Sequence, residues 1–470
     1  MLFNSLGFIV FIIVVMALYY LPYKWTYKKM MLLLASSIFY GLWNPPLVAL
    51  LWISTAVDWT AGNKLHELED QAKRKMWLLL SVVVNLGFLS YFKYGGFLME
   101  NFTTLAHALG FEYVAPEWDI ILPMGISFYT FQTMSYSIDM YYRKIKPART
   151  FLDFALYVTF FPQLVAGPIV RSSDLISQFY EEKRAKINQF LWGAFTLTLG
   201  LFMKVIFADT LLSDPSDEVF GSSGNLPFID SWCGTLAFSG QIFFDFAGYS
   251  TCAIGIALML GMVLPDNFRF PYGAIGFSDF WRRWHITLST WLRDYLYIPL
   301  GGNRKGNRRT YINLMLTMLL GGLWHGAAWT FVVWGALHGF YLGIERLLRD
   351  KVKITINAWN GILLAFLTYT AINITWVFFR AREFDTAVNI IASMFFLHMD
   401  GDKVLEYLDI VIVLMVSTGL FLTHWFMRNK SVVEVATKIP QWLLGLFWGA
   451  MIILLAIAQG SGEQFIYFQF

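Results

Sequence analysis

Apolar residues along this chain fall in long runs, not at the three-and-four spacing of a soluble amphipathic helix. Runs long enough to cross a hydrocarbon core about 30 Å thick occur near 2–21, 30–57 (one or two short crossings), 76–92, 120–142, 151–168, 188–212, 231–263, 311–349, 360–379, 408–427 and 440–459. The pattern therefore predicts an all-α polytopic membrane protein of roughly eleven membrane-crossing elements. The first run lacks a basic flank and a small-residue cleavage site, so it is expected to be a retained helix. No internal repeat, low-complexity tract or Gly/Ser/Pro linker interrupts the chain, which favours a single integral-membrane domain over 1–470.

Composition sharpens this reading. Hydrophobic residues make up 57% of the chain and charged residues 14%, too apolar for a soluble enzyme. The net charge of +3 is uninformative, but the placement of the positive residues is not. Arg304, Lys305, Arg308 and Arg309 cluster in "GGNRKGNRR", preceded by Arg282, Arg283 and Arg293, and that region is expected on the cytoplasmic face. Arg428, Lys430 and Lys438 flank a single acid, Glu434, so a final helix starting at Gln441 would begin inside and leave residues 465–470 outside. Cys233 and Cys252 are the only cysteines, with no companions at metal-ligand spacing; neither a disulfide framework nor a metal site follows.

Two stretches carry candidate chemistry. On a helix over 278–302, with Ser278 as N-cap, Arg282, His285, Ser289 and Arg293 fall within an arc of about 80°, while Trp284, Leu288, Trp291, Leu292 and Tyr295 form the adjoining face. Such a segment either anchors at the interface through lipid phosphates or dips into the bilayer beside a water-filled cavity. The second stretch surrounds Trp324 and His325 with Gly321, Gly322 and Gly326, which weaken a regular helix and admit close neighbours. If that helix begins at Tyr311, His325 lies about 21 Å along it, deep in the membrane. An ionisable residue there needs a cavity or a partner, so His325 is a functional candidate beside the alternative of a satisfied structural histidine. His338 lies 13 residues on, about 20 Å away on a straight helix, and is read as structural. His66, His107, His398 and His424 are expected near loops or span ends, in solvent.

A buried neutral imidazole can remove the proton of a hydroxyl attacking a carbonyl, and guanidinium groups bind phosphate through paired hydrogen bonds. An acyl thioester of coenzyme A satisfies both conditions. The residues go further: "FPQLVAGPIVR" (161–171), "IFFDFAGYSTCAIGIALMLG" (242–261), "FWRRWHITLSTWLRDYLYIPLGGNR" (280–304) and "GGLWHGAAWTFVVWGALHG" (321–339) closely resemble the membrane-bound O-acyltransferase family, in its alginate O-acetyltransferase branch. The opening "MLFNS" and closing "FIYFQF" resemble it too.

The resemblance implies many transmembrane helices around a funnel or tunnel in a bacterial cytoplasmic membrane. It also implies a catalytic His325, a second histidine at His285, and acetyl-CoA as donor. Trp281, Arg282, Arg283, Ser289, Trp324, Asp245 and Arg304 are the candidates for holding donor or substrate, with Asp245 expected to pair with an arginine or a backbone donor. The acceptor so implied is an extracytoplasmic polysaccharide such as alginate or peptidoglycan, reached through an SGNH-type partner protein; no nucleic acid and no metal are implied. Tyr467, in the aromatic tail, becomes a candidate acyl carrier seated at the outer mouth of the tunnel, against the alternative of a hydrophobic plug. A proton-coupled transporter or flippase using His325 and Asp245 is the competing reading, weakened by the lack of duplicated halves.

Overall fold

The computed structural model describes residues 3–116, 121–351, 355–398, 400–458 and 465–466. Every regular element among them is helical, as membrane burial requires of a chain that does not close into a barrel. Six helices among the described residues are long and apolar enough to cross a bilayer: Gln71–Ala108, Ile187–Gly221, Phe228–Met259, Ala358–Arg380, Tyr407–Met427 and Gln441–Ala458.

Several predicted runs resolve differently from a simple crossing. The 30–57 run becomes two helices, Trp25–Gly41 and Val48–Glu67, separated by Pro45 and Pro46. The 120–142 run yields Ile126–Tyr141, whose buried face carries Thr130, Gln132, Thr133, Ser135, Ser137 and Asp139. The 311–349 run is not one helix but a hairpin of Gly306–His325 and Trp329–Lys351.

The chain divides into two compact units. One comprises the residues up to Ala194 together with Ala253–Pro265. Its centre is a buried carboxylate, Asp58, which accepts hydrogen bonds from Ser81, from Ser137 (3.0 Å) and from Asn85 Nδ2 (2.8 Å). Asn85 Oδ1 in turn accepts from Ser54 at 2.9 Å and Thr133 at 3.0 Å, so three helices share one polar knot. A carboxylate this deep costs several kcal/mol unless donors surround it, and here they do. Lys29 pairs with Asp153, and the buried Arg74 guanidinium donates to the carbonyls of Leu65, Met140 and Tyr141.

The other unit comprises Phe195–Cys252 and the residues from Asp266 onward. Its core is aromatic: Trp284, Trp334 and Trp376 are almost wholly buried, with ring centroids 5.0 Å apart for Trp284–Trp376 and 6.0 Å for Trp334–Trp376. The Gly306–His325 and Trp329–Lys351 helices pack with their backbones nearly touching. A Cβ on Gly322 would lie 2.2 Å from the Phe331 carbonyl oxygen, and one on Gly335 would lie 2.3 Å from that of Met318. Small residues at such crossings are what let transmembrane helices gain dispersion contact without a hydrophobic driving force.

Gly322→Val should therefore force the hairpin apart and destabilise the protein by about 1–3 kcal/mol or more, read as a lower thermal midpoint in detergent. Gly343→Ala is the control, because its Cβ would meet only the Tyr311 ring at an ordinary 3.6 Å, and the midpoint should hold or rise.

Candidate active site

The segment expected as one amphipathic helix is broken. Phe277–Trp281 and Ile286–Leu292 are separate short helices, followed by a π-type turn over Arg293–Tyr297. The break falls at His285, whose φ of +41° lies in the left-handed region. A non-glycine residue there costs about 1–3 kcal/mol, so surrounding contacts must hold it. Asn267 supplies them. Its carbonyl accepts from the Ile286 N–H at 2.8 Å, and its Oδ1 lies 3.0 Å from His285 Nδ1 and accepts from Thr287 Oγ1 at 2.8 Å. Because Asn267 Nδ2 donates to Ser250 Oγ (3.1 Å), the amide is oriented with Oδ1 as acceptor, and a neutral His285 must then carry its proton on Nδ1. Ser278, expected as the N-cap, instead gives its N–H to Glu345 at 2.7 Å, and Gly276 (φ +83°) occupies the cap.

His325 ends its helix rather than lying part-way along it, and Gly326 turns the chain with extended backbone angles. The ring is 2% exposed and packs edge-on against Trp324 (5.0 Å), Trp334 (5.0 Å) and Phe379 (5.2 Å). Trp324 also lies 6.0 Å from the His285 ring, which brings together two histidines 40 residues apart in sequence. The straight-helix separation of His325 and His338 does not apply, because the reversal at Gly326–Ala328 folds His338 back until Trp334 touches both, at 5.0 Å and 4.6 Å. His338 hydrogen-bonds Thr375 Oγ1 at 3.1 Å. His424 is not in solvent: it is 2% exposed and its Nδ1 accepts the Tyr272 N–H at 3.1 Å.

The candidate donor-binding side chains separate into groups. Trp281, Arg282, Ser289 and Arg293 line one cavity of about 290 Å³, so three of the four residues placed on a common arc do share a face. His285, the fourth, is turned inward to Asn267 by the break. A larger cavity of about 810 Å³ is lined by Arg282, Arg349, Arg428, Asp279 and Glu345 with apolar neighbours. Arg283 points elsewhere, with its Nε 3.0 Å from Asp279 and a donated bond to the Arg428 carbonyl at 2.6 Å. Arg304 is exposed and lines neither cavity. Neither cavity includes His325 in its lining. The nearer one stops at Trp281, whose ring lies 5.9 Å from Trp334, and Trp334 forms the wall of the His325 pocket.

Asp245, near the middle of the Phe228–Met259 helix, is 1% exposed and pairs with a lysine rather than an arginine: Lys204 Nζ is 2.7 Å from Oδ1. Its other oxygen accepts a backbone bond at 2.6 Å from the Ile466 N–H, at the far end of the sequence. Phe465 and Ile466 are themselves buried, at 1% and 3% exposure. The Phe465 ring lies 5.0 Å from Tyr249 and 5.8 Å from Phe246, and Phe246 lies 4.6 Å from His285. Tyr467 lies outside the described residues. Two participants in this site were invisible beforehand: Asn267, in the turn after a helix, and Lys204, in an otherwise apolar run.

A family model described as the membrane-bound O-acyltransferase family matches residues 148–375, a span that contains both His285 and His325. A probable alginate O-acetylase of Pseudomonas putida is 38% identical over the whole of both chains. The chain belongs to the membrane-bound O-acyltransferase family. A probable alginate O-acetylase of Azotobacter vinelandii is 42% identical over 84% of this chain and 78% of its own length. A peptidoglycan O-acetyltransferase of Helicobacter pylori is 38% identical over 78% of this chain and 74% of its own. The protein is therefore a multi-pass membrane acyltransferase, with His285 and His325 joined through Trp324 in its core.

If Asn267 sets the tautomer and position of His285, Asn267→Leu should lower acyl transfer roughly ten- to a hundredfold. Asn267→Asp, which keeps an acceptor oxygen, should retain more. Full turnover by a folded Asn267→Leu enzyme would exclude a working role for this orientation.

Proposed function

We propose that this acyltransferase takes an acetyl group from cytoplasmic acetyl-CoA and passes it across the membrane for O-acetylation of an envelope polysaccharide. The observation that supports this most strongly is the burial of Phe465 and Ile466, which precede Tyr467 in the sequence, in the aromatic layer that also holds His285. The alginate and peptidoglycan acetylases among the relatives favour a cell-envelope polysaccharide as the acceptor.

In this reading the basic cavity lined by Arg282 and Arg293 faces the cytoplasm and receives the phosphate-bearing donor. The thioester end reaches His325 when the Trp281 and Trp334 rings shift. His325 takes the phenolic proton as Tyr467 oxygen bonds to the thioester carbonyl carbon; the C–S bond breaks, and the coenzyme thiolate leaves with a proton. An uncatalysed phenol, with a pKa near 10, is a poor nucleophile at neutral pH, so the base is essential. His285, held by Asn267, offers a second proton acceptor on the other side of Trp324. The acetyl ester on Tyr467 then passes to a serine hydroxyl of an extracytoplasmic SGNH-type partner, which restores the phenol and delivers the group to polymer.

With the purified enzyme, His325→Ala should reduce acetyl-CoA cleavage by about 10²–10⁴-fold. Tyr467→Phe, which keeps the shape and removes the oxygen, should abolish transfer to polymer in cells while the protein still inserts. Undiminished acetylation by that variant would leave the tail a plug and the carrier elsewhere.

A further inference from the structure

The backbone bond between Asp245 and Ile466 belongs to a larger device. The Ile187–Gly221 and Phe228–Met259 helices meet at Gly200 and Gly248, where a Cβ on Gly200 would lie 2.6 Å from the Gly248 carbonyl oxygen. One turn further along each antiparallel helix, that close approach brings Lys204 opposite Asp245. Lys204 is the second residue of a π-helical stretch, Met203–Leu212, and also binds Asp209 at 2.7 Å. On an α-helix residues i and i+5 would diverge by about 140°, whereas i→i+5 winding stacks them, so the π-stretch is what turns Asp209 to the same ammonium.

All three side chains are buried, at 7%, 6% and 1% exposure for Lys204, Asp209 and Asp245. Two carboxylates thus face one ammonium, and Lys204 occupies Oδ1 of Asp245. The Oδ2 atom is answered by the Ile466 N–H at 2.6 Å. Withdrawing the C-terminal segment would strand a carboxylate oxygen in the membrane interior, which is far more costly than losing an exposed hydrogen bond.

We infer that Lys204, Asp245 and Asp209 form a latch that seats the C-terminal segment by its backbone, with Lys204 the positioning residue that holds Asp245 ready for the Ile466 N–H. The latch holds the Ile466 amide beside the aromatic layer in which Phe465 meets Phe246 and Phe246 meets His285. Its contribution to transfer rests on the reading of Tyr467 as acyl carrier.

A cysteine at the carrier position reports the seating directly. In the full-length, detergent-solubilised Tyr467→Cys chain, maleimide labelling should be slow, with little background because Cys233 and Cys252 are buried. Adding Lys204→Met should speed labelling at least tenfold, and Lys204→Arg should keep it slow. Ile466→Pro removes the N–H without touching the ion pairs and should speed labelling equally, which guards against a Lys204→Met protein that fails to elute as a single folded species. With Tyr467 retained, Lys204→Met and Ile466→Pro should each lower polymer acetylation at least tenfold. Unchanged labelling in folded Lys204→Met and Ile466→Pro chains overturns the latch, whatever Tyr467 does. Faster labelling together with full acetylation by Tyr467→Phe upholds the latch and overturns the carrier.

Discussion

In a hydrocarbon surround, a polar group inside the protein has no water to fall back on, and each one must be answered by another part of the chain. That requirement organises this molecule. Asp58 is answered by three serines and an asparagine, Arg74 by three carbonyls, and Asp245 by Lys204 and a backbone amide. The break at His285 obeys the same rule: a backbone that leaves the helix is tolerated because Asn267 accepts the N–H freed at Ile286. Without that acceptor, the strained φ at His285 would be added to an unanswered donor, and a continuous helix would be the cheaper conformation.

The break and the hairpin together bring the two candidate histidines into one aromatic layer. His285 heads one short helix and His325 ends a long one, so both rings stand at helix termini, where side chains can project past the regular packing. Trp324 joins them, while Trp334 and Phe379 close the far side of His325. Aromatic walls suit this position, since their faces and edges pack closely around the imidazole.

The fold class was legible in the sequence because long apolar runs have few other physical outcomes, and the glycines around His325 correctly marked a weak point in a helix. What the sequence hid follows from what it lacks. No proline or glycine stands at His285, so nothing local announces the left-handed turn; the cause is Asn267, 18 residues earlier in the chain. The reversal at Gly326–Ala328 is written in apolar residues on both sides, so hydropathy runs straight through it and two helices read as one. Lys204 was hidden for the opposite reason: a lone lysine in an apolar run gives no hint of the partner 41 residues on, and π-winding defeats arguments from helical spacing. The tail's aromatic character was plain, but the burial of Phe465 and Ile466 beside Asp245 depended on a contact 221 residues apart.

The grip on the tail is made by main chain, and that has an evolutionary corollary. Any apolar residue that keeps its amide hydrogen and fits the buried site can occupy position 466 and still complete the bond, so that position is free to drift among such side chains while its geometry is preserved. Divergent members that hold their termini identically would then share an apolar character there rather than one letter, and the sharper constraint would surface at the lysine and aspartate on the receiving side.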